Sequence, residues 1–258
     1  MNEISINIST FSIFILSLSA WADDLSYSAS LNSNSKPLLI IVDGAGDLKG
    51  CSSAIKKSMD QFQDRLDIQI FPWSHGHYKI YRDQCDIAHS QRKGKELAEL
   101  ILSSHRLQPE REICLMSHSA GCSVSLSCCT WLPDKILSNH ILLAPSVSDR
   151  FNIRPALNSS RRGLDVFCSF RDRWALGIGV LLVGTADANH DRRAAGRFGF
   201  QVMPRNSDDA HVFENLHQHF WSKEDLKLGN NGRHHSMFSP AFLQAKVLPL
   251  ILNSEKGQ

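Results

Sequence analysis

Glu112-Ile113-Cys114-Leu115-Met116 followed by Ser117-His118-Ser119-Ala120-Gly121 is the stretch on which the fold turns. An apolar run of strand type, Glu112 to Met116, ends in small residues, and a helical segment then continues to Trp131, where Pro133 stops it. A serine held at so tight a strand-to-helix turn has a strained backbone. Bulky residues two places to either side would strike the neighbouring strand and helix. Ser117 and Gly121 are both small. The turn would also set Ser119 at a helix N-terminus, where free backbone N–H groups and the helix dipole favour a developing negative charge. Ser119 is therefore a candidate nucleophile.

Outward from this turn, β-like runs alternate with amphipathic stretches from Lys36 onward, the pattern of parallel strands joined by crossover helices. Pro37 to Val42 is a continuous apolar run of the kind buried on both faces, and it ends in the turn Asp43-Gly44-Ala45-Gly46. Ser52 to Gln63 carries one apolar stripe and predicts a helix. Leu66, Ile68 and Ile70 alternate and predict a strand. Trp73 to His89 is aromatic, polar and irregular, and is expected to be a long loop. Leu97, Leu100 and Ile101 mark the next helix. Further strands are expected at His140 to Ala144, Leu164 to Phe170 and Phe200 to Met203, with helices at Arg173 to Val183 and Phe242 to Leu252. The expected fold is a doubly wound, mostly parallel α/β sheet with helices on both faces and a minimal lid.

Composition sets the boundaries. The 258 residues, 42% hydrophobic and 21% charged, suit one globular domain. A formal charge of +2 gives no footprint for a nucleic acid. Ile13 to Ala20 is apolar and leads to Ala20-Trp21-Ala22, so residues 1–22 read as a secretory signal and 23–35 as a linker ahead of a single domain over 36–258. The protein is expected to be secreted or periplasmic, with no stable membrane span, because that apolar run is short of the about 20 residues that a span needs. Seven cysteines leave at least one unpaired. Cys51 and Cys85 fall in expected loops and are the best candidates for a disulfide, the other five being read as buried small hydrophobes.

A serine hydroxyl needs a base to take its proton and an acid to orient that base. With Ser119 as nucleophile these partners should follow in the order acid, then histidine. Asp172, just beyond the Leu164–Phe170 run, is the candidate acid, with Asp187 as substitute. The loop Asn230-Asn231-Gly232-Arg233-His234-His235-Ser236 offers two candidate bases, and neighbours on an extended loop point in opposite directions. The oxyanion hole would draw on the N–H of Ala120 and on the Asp43–Gly46 turn, at Ala45 first and Gly46 second. Gly44, Gly46, Trp73, His75 and His118 are expected to line the substrate pocket. Among the twelve histidines, His75-Gly76-His77 and His217-Gln218-His219 lack the spacing of a zinc site, and neither metal nor cofactor is expected. Arg192, Arg193, Arg197 and Arg205 read as a solvated basic face rather than a site for an acidic substrate.

With Ser117 to Gly121, Asp172 and the Gly232-Arg233-His234 loop assembled in that order, the chain from Lys36 to about Leu252 resembles the α/β-hydrolase superfamily. More narrowly it is similar to bacterial serine hydrolases with a His-Ser-x-Gly elbow, a Leu-Leu-Ala-Pro-Ser-Val-Ser run (here Leu142 to Ser148) and a Gly-x-His-x-Ser motif (Gly232, His234 and Ser236) before a terminal helix. Ser117 departs from the glycine usual at the first elbow position. The resemblance aligns His234, rather than His235, with the catalytic position. It implies a serine hydrolase and names no substrate; the acyl-transfer chemistry that the Ser119 turn suits leads to the expectation of hydrolysis of a carboxylic ester or related acyl bond in a small molecule, through an acyl-enzyme on Ser119. An acyltransferase, or a catalytically silent binding protein of the same fold, would share these features. Short connections after Ser119 imply an open site, suited to small or soluble esters.

Overall fold

The four central strands are buried along their whole length, and the chain covers them by stacking helices on both faces of one sheet. A computed structural model describes residues 36–59, 65–173, 175, 184–187, 193–202 and 207–252. The signal and linker expected at 1–35 lie outside the described residues. So do the end of the first expected helix (60–63), Arg192 and Arg205, and most of the helix expected at Arg173 to Val183.

In chain order the framework is β1 (Leu38–Val42), α1 (Gly50–Ser58), β2 (Asp67–Ile70), α2 (Ile80–Cys85), α3 (Ile87–Leu107), β3 (Ile113–His118), α4 (Gly121–Cys128), β4 (Asn139–Leu143), β5 (Leu164–Cys168) and β6 (Leu216–Phe220). The six strands form one all-parallel sheet in the order β2-β1-β3-β4-β5-β6. Alternation along each strand divides the core. Leu38, Ile40 and Val42 pack with Leu97, Ile101 and Val124, while Leu39 and Ile41 pack with Ile55, Met59, Val247 and Ile251. The protein is thus of the α/β class, with α3 and α4 on one face and α1 and the C-terminal helical segment on the other. The chain runs from β1 to β2 on one side and returns to β3 on the other. A crevice opens where strand order reverses in such sheets, here at the carboxyl ends of β1 and β3.

Several expectations are corrected. Trp73 to His89 is not one long loop: it contains α2 and the start of α3, whose first turn is capped by the Asp86 carboxylate accepting from His89 N–H. The last strand is not at Phe200 to Met203, where Phe200–Val202 carry no strand and Met203 lies outside the described residues. It is β6, an edge strand whose Leu216-His217-Gln218-His219-Phe220 sequence is too polar to register as a buried parallel strand. On β6 the two histidines share a face: His219 Nε2 is 2.6 Å and His217 Nδ1 3.6 Å from Asp165 Oδ1, and His219 stacks on Phe167. The segment before Pro249 contains a π turn, Leu243–Val247, between Pro240–Phe242 and Leu248–Leu252. All seven cysteines are free thiols. Cys51 is buried and Cys85 exposed, so no disulfide links them. Among the described residues no helix is long and apolar enough to cross a membrane.

Candidate active site

Ser119 sits between β3 and α4 with φ +53°, the left-handed region that a residue with a Cβ enters only under local constraint. The constraint comes from the end of β4. Ser119 N–H donates to Leu143 C=O (3.0 Å), and Ser119 C=O accepts from Ser146 N–H (3.3 Å). Gly121 lets α4 close on β1, since a Cβ there would lie 2.3 Å from the Asp43 carbonyl oxygen. Ser117, where a glycine is usual, is fully buried beneath the turn. Its Oγ lies 2.7 Å from Ser125 Oγ, which is in turn 3.1 Å from Nε2 of the buried His140. The hydroxyl that replaces glycine is therefore hydrogen-bonded rather than orphaned. Burial lowers the His140 pKa to about 3, so this support is electrically neutral.

The acid and base loops converge on the serine. His234 Nε2 is 2.9 Å from Ser119 Oγ and His234 Nδ1 is 2.5 Å from Asp172 Oδ2. A carboxylate only accepts, so Nδ1 carries the proton and Nε2 presents its lone pair to the hydroxyl. Asp172 is 3% exposed. One residue organises both loops. The backbone C=O of Ser169 accepts from Asp172 N–H (3.1 Å), and its hydroxyl donates to Gly232 C=O (2.6 Å). Gly232 has φ +83°, and a Cβ there would stand 2.8 Å from Ser169 Oγ, so only glycine suits that position. Asn230 Oδ1 accepts from Gly232 N–H and the Ser236 hydroxyl, which fixes the loop on which His234 is carried. His235 packs its ring 5.6 Å from that of Phe238 and lines the cavity without bonding Ser119. Asp187 is elsewhere: its Oδ1 accepts from Ser148 N–H.

The turn after β1 forms the opposite wall. The Ala45 and Ala120 N–H groups have no other acceptor among the described residues, whereas Gly46 N–H donates to Asp83 Oδ2 (2.7 Å). Of the two expected donors on this turn, only Ala45 is free to serve an oxyanion. Asp83 also accepts from the Ser74 hydroxyl (2.5 Å) and from His75 through its N–H and Nδ1 (2.8 Å each). Burial disfavours its charge, but these hydrogen bonds outweigh burial and hold its pKa below the ordinary carboxylate value. Trp73 Nε1–H donates to Asp43 C=O (2.7 Å), and His89 Nε2–H to Trp73 C=O (2.5 Å). Trp73 and His75, expected at the pocket mouth, thus stand behind the turn and brace it. The signal missed was Asp83, whose carboxylate joins these residues.

Ser119, His118, His234 and His235 open onto a cavity of about 480 Å³ that Gly44 and Ala45 also line, with Leu48, Ile80 and Phe238 supplying apolar surface. Gly46, Trp73 and His75 are not part of that lining. His118 is 4% exposed; burial and the two neighbouring histidines push its pKa well below the usual imidazole value. His118, His234 and His235 each offer a ring nitrogen, all within 4.8 Å of one another, the one grouping among the described residues that could hold a metal ion. His234 has both nitrogens engaged by Asp172 and Ser119. The buried thiols are unsuited to nucleophilic work, since burial raises Cys114, Cys122, Cys129 and Cys168 to about 12. Of the expected basic face, Arg193 pairs with the buried Asp149, and Arg193 and Arg197 lie over the Phe198 ring.

Comparison with known proteins gives little to set beside this geometry. No protein-family model matches the chain, and no curated protein matches it. Among solved structures, it is similar to an uncharacterized protein from Bacillus cereus, at 14% identity and a TM-score of 0.48, over 90% of this chain and 67% of that one.

Proposed function

We propose that this chain is a serine hydrolase of the α/β-hydrolase type with a minimal lid, cleaving a carboxylic ester or related acyl bond in a small molecule. The observation that carries the reading is the unbroken relay from Asp172 through His234 to Ser119, supported by the N–H groups of Ala45 and Ala120, which meet no acceptor among the described residues and belong to the two turns that adjoin the serine.

In this reading Ser119 Oγ attacks the acyl carbon while His234 Nε2 takes its proton. The carbonyl oxygen becomes an oxyanion that the Ala45 and Ala120 N–H groups, otherwise without an acceptor among the described residues, would receive. The imidazolium that forms is stabilised by Asp172, then gives its proton to the departing alcohol. Water, deprotonated by His234, releases the acid from Ser119 and restores the hydroxyl.

Treating the protein and its Ser119→Ala variant with a fluorophosphonate probe, and locating the adduct by mass spectrometry, tests this directly. Labelling at Ser119, absent from the variant, is the expected result. A folded protein that takes no label would be a silent binding module, and the relay would then be structural only.

A further inference from the structure

We propose that the rim of this cavity docks onto an anionic lipid surface, and that the acyl substrate is drawn from that surface. The docking stands by itself; the substrate half rests on the serine-hydrolase reading.

Large apolar side chains exposed singly are ordinary, but grouped ones call for a reason. Here Leu48 (46% exposed), Tyr78 (71%), Ile80 (47%) and Tyr81 (71%) gather at one place. Leu48, Ile80 and Tyr81 line the cavity, and a Cβ on Gly46 would lie 2.7 Å from Ile80 Cγ1, so Ile80 sits on the turn after β1. Tyr78 is joined to the same turn by its N–H donating to Gly46 C=O (3.0 Å). It has φ +59°, a conformation that costs a bulky residue free energy, and the result is an aromatic ring held out in water.

The charge around this patch selects the partner. Lys49, Lys79 and Arg82 are exposed beside it. Of the nearby acids, Asp47 is exposed, Asp83 is buried under its hydrogen bonds, and the half-buried Asp86 is turned to the first turn of α3, where it accepts from His89 N–H. Tyrosine rings flanked by cations match a bilayer interface, where an amphipathic ring sits among headgroups and Lys or Arg meets anionic lipid. A protein partner would stopper the cavity that the rim surrounds. A lipid surface instead feeds it, since the apolar rim continues inward through Leu48, Ile80 and Phe238 toward Ser119. The open site thus suits an acyl chain leaving a membrane rather than only a freely soluble ester.

The test uses full-length Ser119→Ala protein, so that no vesicle is consumed, with phosphatidylcholine vesicles containing or lacking phosphatidylglycerol. Sedimentation should show binding to the anionic vesicles that weakens about tenfold with Tyr78→Asn, which tolerates the positive φ, and about tenfold with Lys79→Glu/Arg82→Glu. Any contribution of residues 1–35 is common to all of these proteins and cancels in the comparison. On the Ser119 background, Tyr78→Asn and Lys79→Glu/Arg82→Glu should turn over a short soluble ester at the parent rate but slow on esters presented in anionic vesicles. Equal vesicle binding by parent and variants, or binding by none, overturns the docking surface. Rim-dependent binding with no labelling of Ser119 would instead sink the hydrolase reading and leave the surface standing.

Discussion

Two turns meet at Ser119 and are held in different ways. The turn from β3 into α4 is set by its own strand, its own helix and the adjacent end of β4: small residues at Ser117 and Gly121, and two hydrogen bonds to the Ser119 backbone. The turn after β1 has one local tie, Asp43 Oδ1 accepting from Ser52 N–H on α1, and is otherwise held from afar. Its Gly46 N–H is tied to Asp83, 37 residues away, and its Asp43 carbonyl to Trp73, 30 residues away. The serine's own turn is thus framed by the strand, helix and β4 end that adjoin it, while the turn that would offer Ala45 to an oxyanion borrows its stiffness from the α2 region. A catalytic feature supported locally can be damaged at only a few places. One supported from afar can be loosened by residues that never touch substrate.

The largest effect belongs to the relay that joins the elbow to its base. His234→Ala should lower kcat by about 10³- to 10⁴-fold, whereas His235→Ala should stay within about threefold, as read with a short soluble ester. The reverse ranking would mean that the relay seen at His234 is not the working one. Next comes the borrowed support of the β1 turn. Asp83→Asn keeps an acceptor for Gly46 N–H but gives up the oxygen that takes both His75 hydrogen bonds. It should cost about 10- to 100-fold in kcat with little change in KM, because an oxyanion donor acts in the transition state. An equal loss in kcat/KM carried wholly by KM would make Asp83 a residue of the binding wall instead.

This contrast also explains what could be read in the sequence. Pro37 to Val42, Glu112 to Met116 and the elbow were legible because each is a local pattern, an apolar run or small residues at fixed spacing. Asp172, and the loop with His234 and His235, were legible by their order after the strands, though choosing between the histidines needed the resemblance. Trp73 and His75 were placed in the pocket by their aromatic and polar character, yet their work depends on a contact with Asp83 that no local pattern encodes. β6 escaped notice for a related reason. Its polar faces are tolerated because it lies at the sheet edge, with Asp165 taking up both histidines. The Cys51 and Cys85 pairing failed because their proximity was assumed from loops that are in fact the helices α1 and α2.

A smaller effect should separate packing from hydrogen bonding beneath the elbow. Ser117→Ala deprives the Ser125 hydroxyl of one partner and should lower unfolding free energy by about 1–2 kcal/mol in urea titration, with kcat nearly unchanged. Ser117→Gly should cost slightly more, since it adds backbone freedom to the unfolded chain. A loss of activity without loss of stability would show that the hydroxyl positions Ser119 rather than supports the fold.

Acid should distinguish the two turns by where each begins to fail, though each contribution is modest. The elbow rests on His140, neutral with a pKa lowered to about 3, and carries His118, lowered as well. An unfolded chain would bind protons at these histidines from about pH 6.5 downward while the native chain does not. Their stabilisation is therefore complete above that pH and is lost as the pH falls toward the folded values, with a slope of at most about 1.4 kcal/mol per pH unit for each histidine. Asp83 also has a lowered pKa, but its reference is a carboxylate, so its stabilisation is complete above about pH 4 and fades only below it. Urea midpoints measured between pH 7 and about pH 4.5 should accordingly fall with acid in the parent, fall less steeply in His140→Gln, and keep the parent slope in Asp83→Asn. If His140→Gln keeps the full slope, the histidine beneath the elbow takes up its proton in the folded state, and the neutral support described for this turn would not survive acid as a dry hydrogen-bond network.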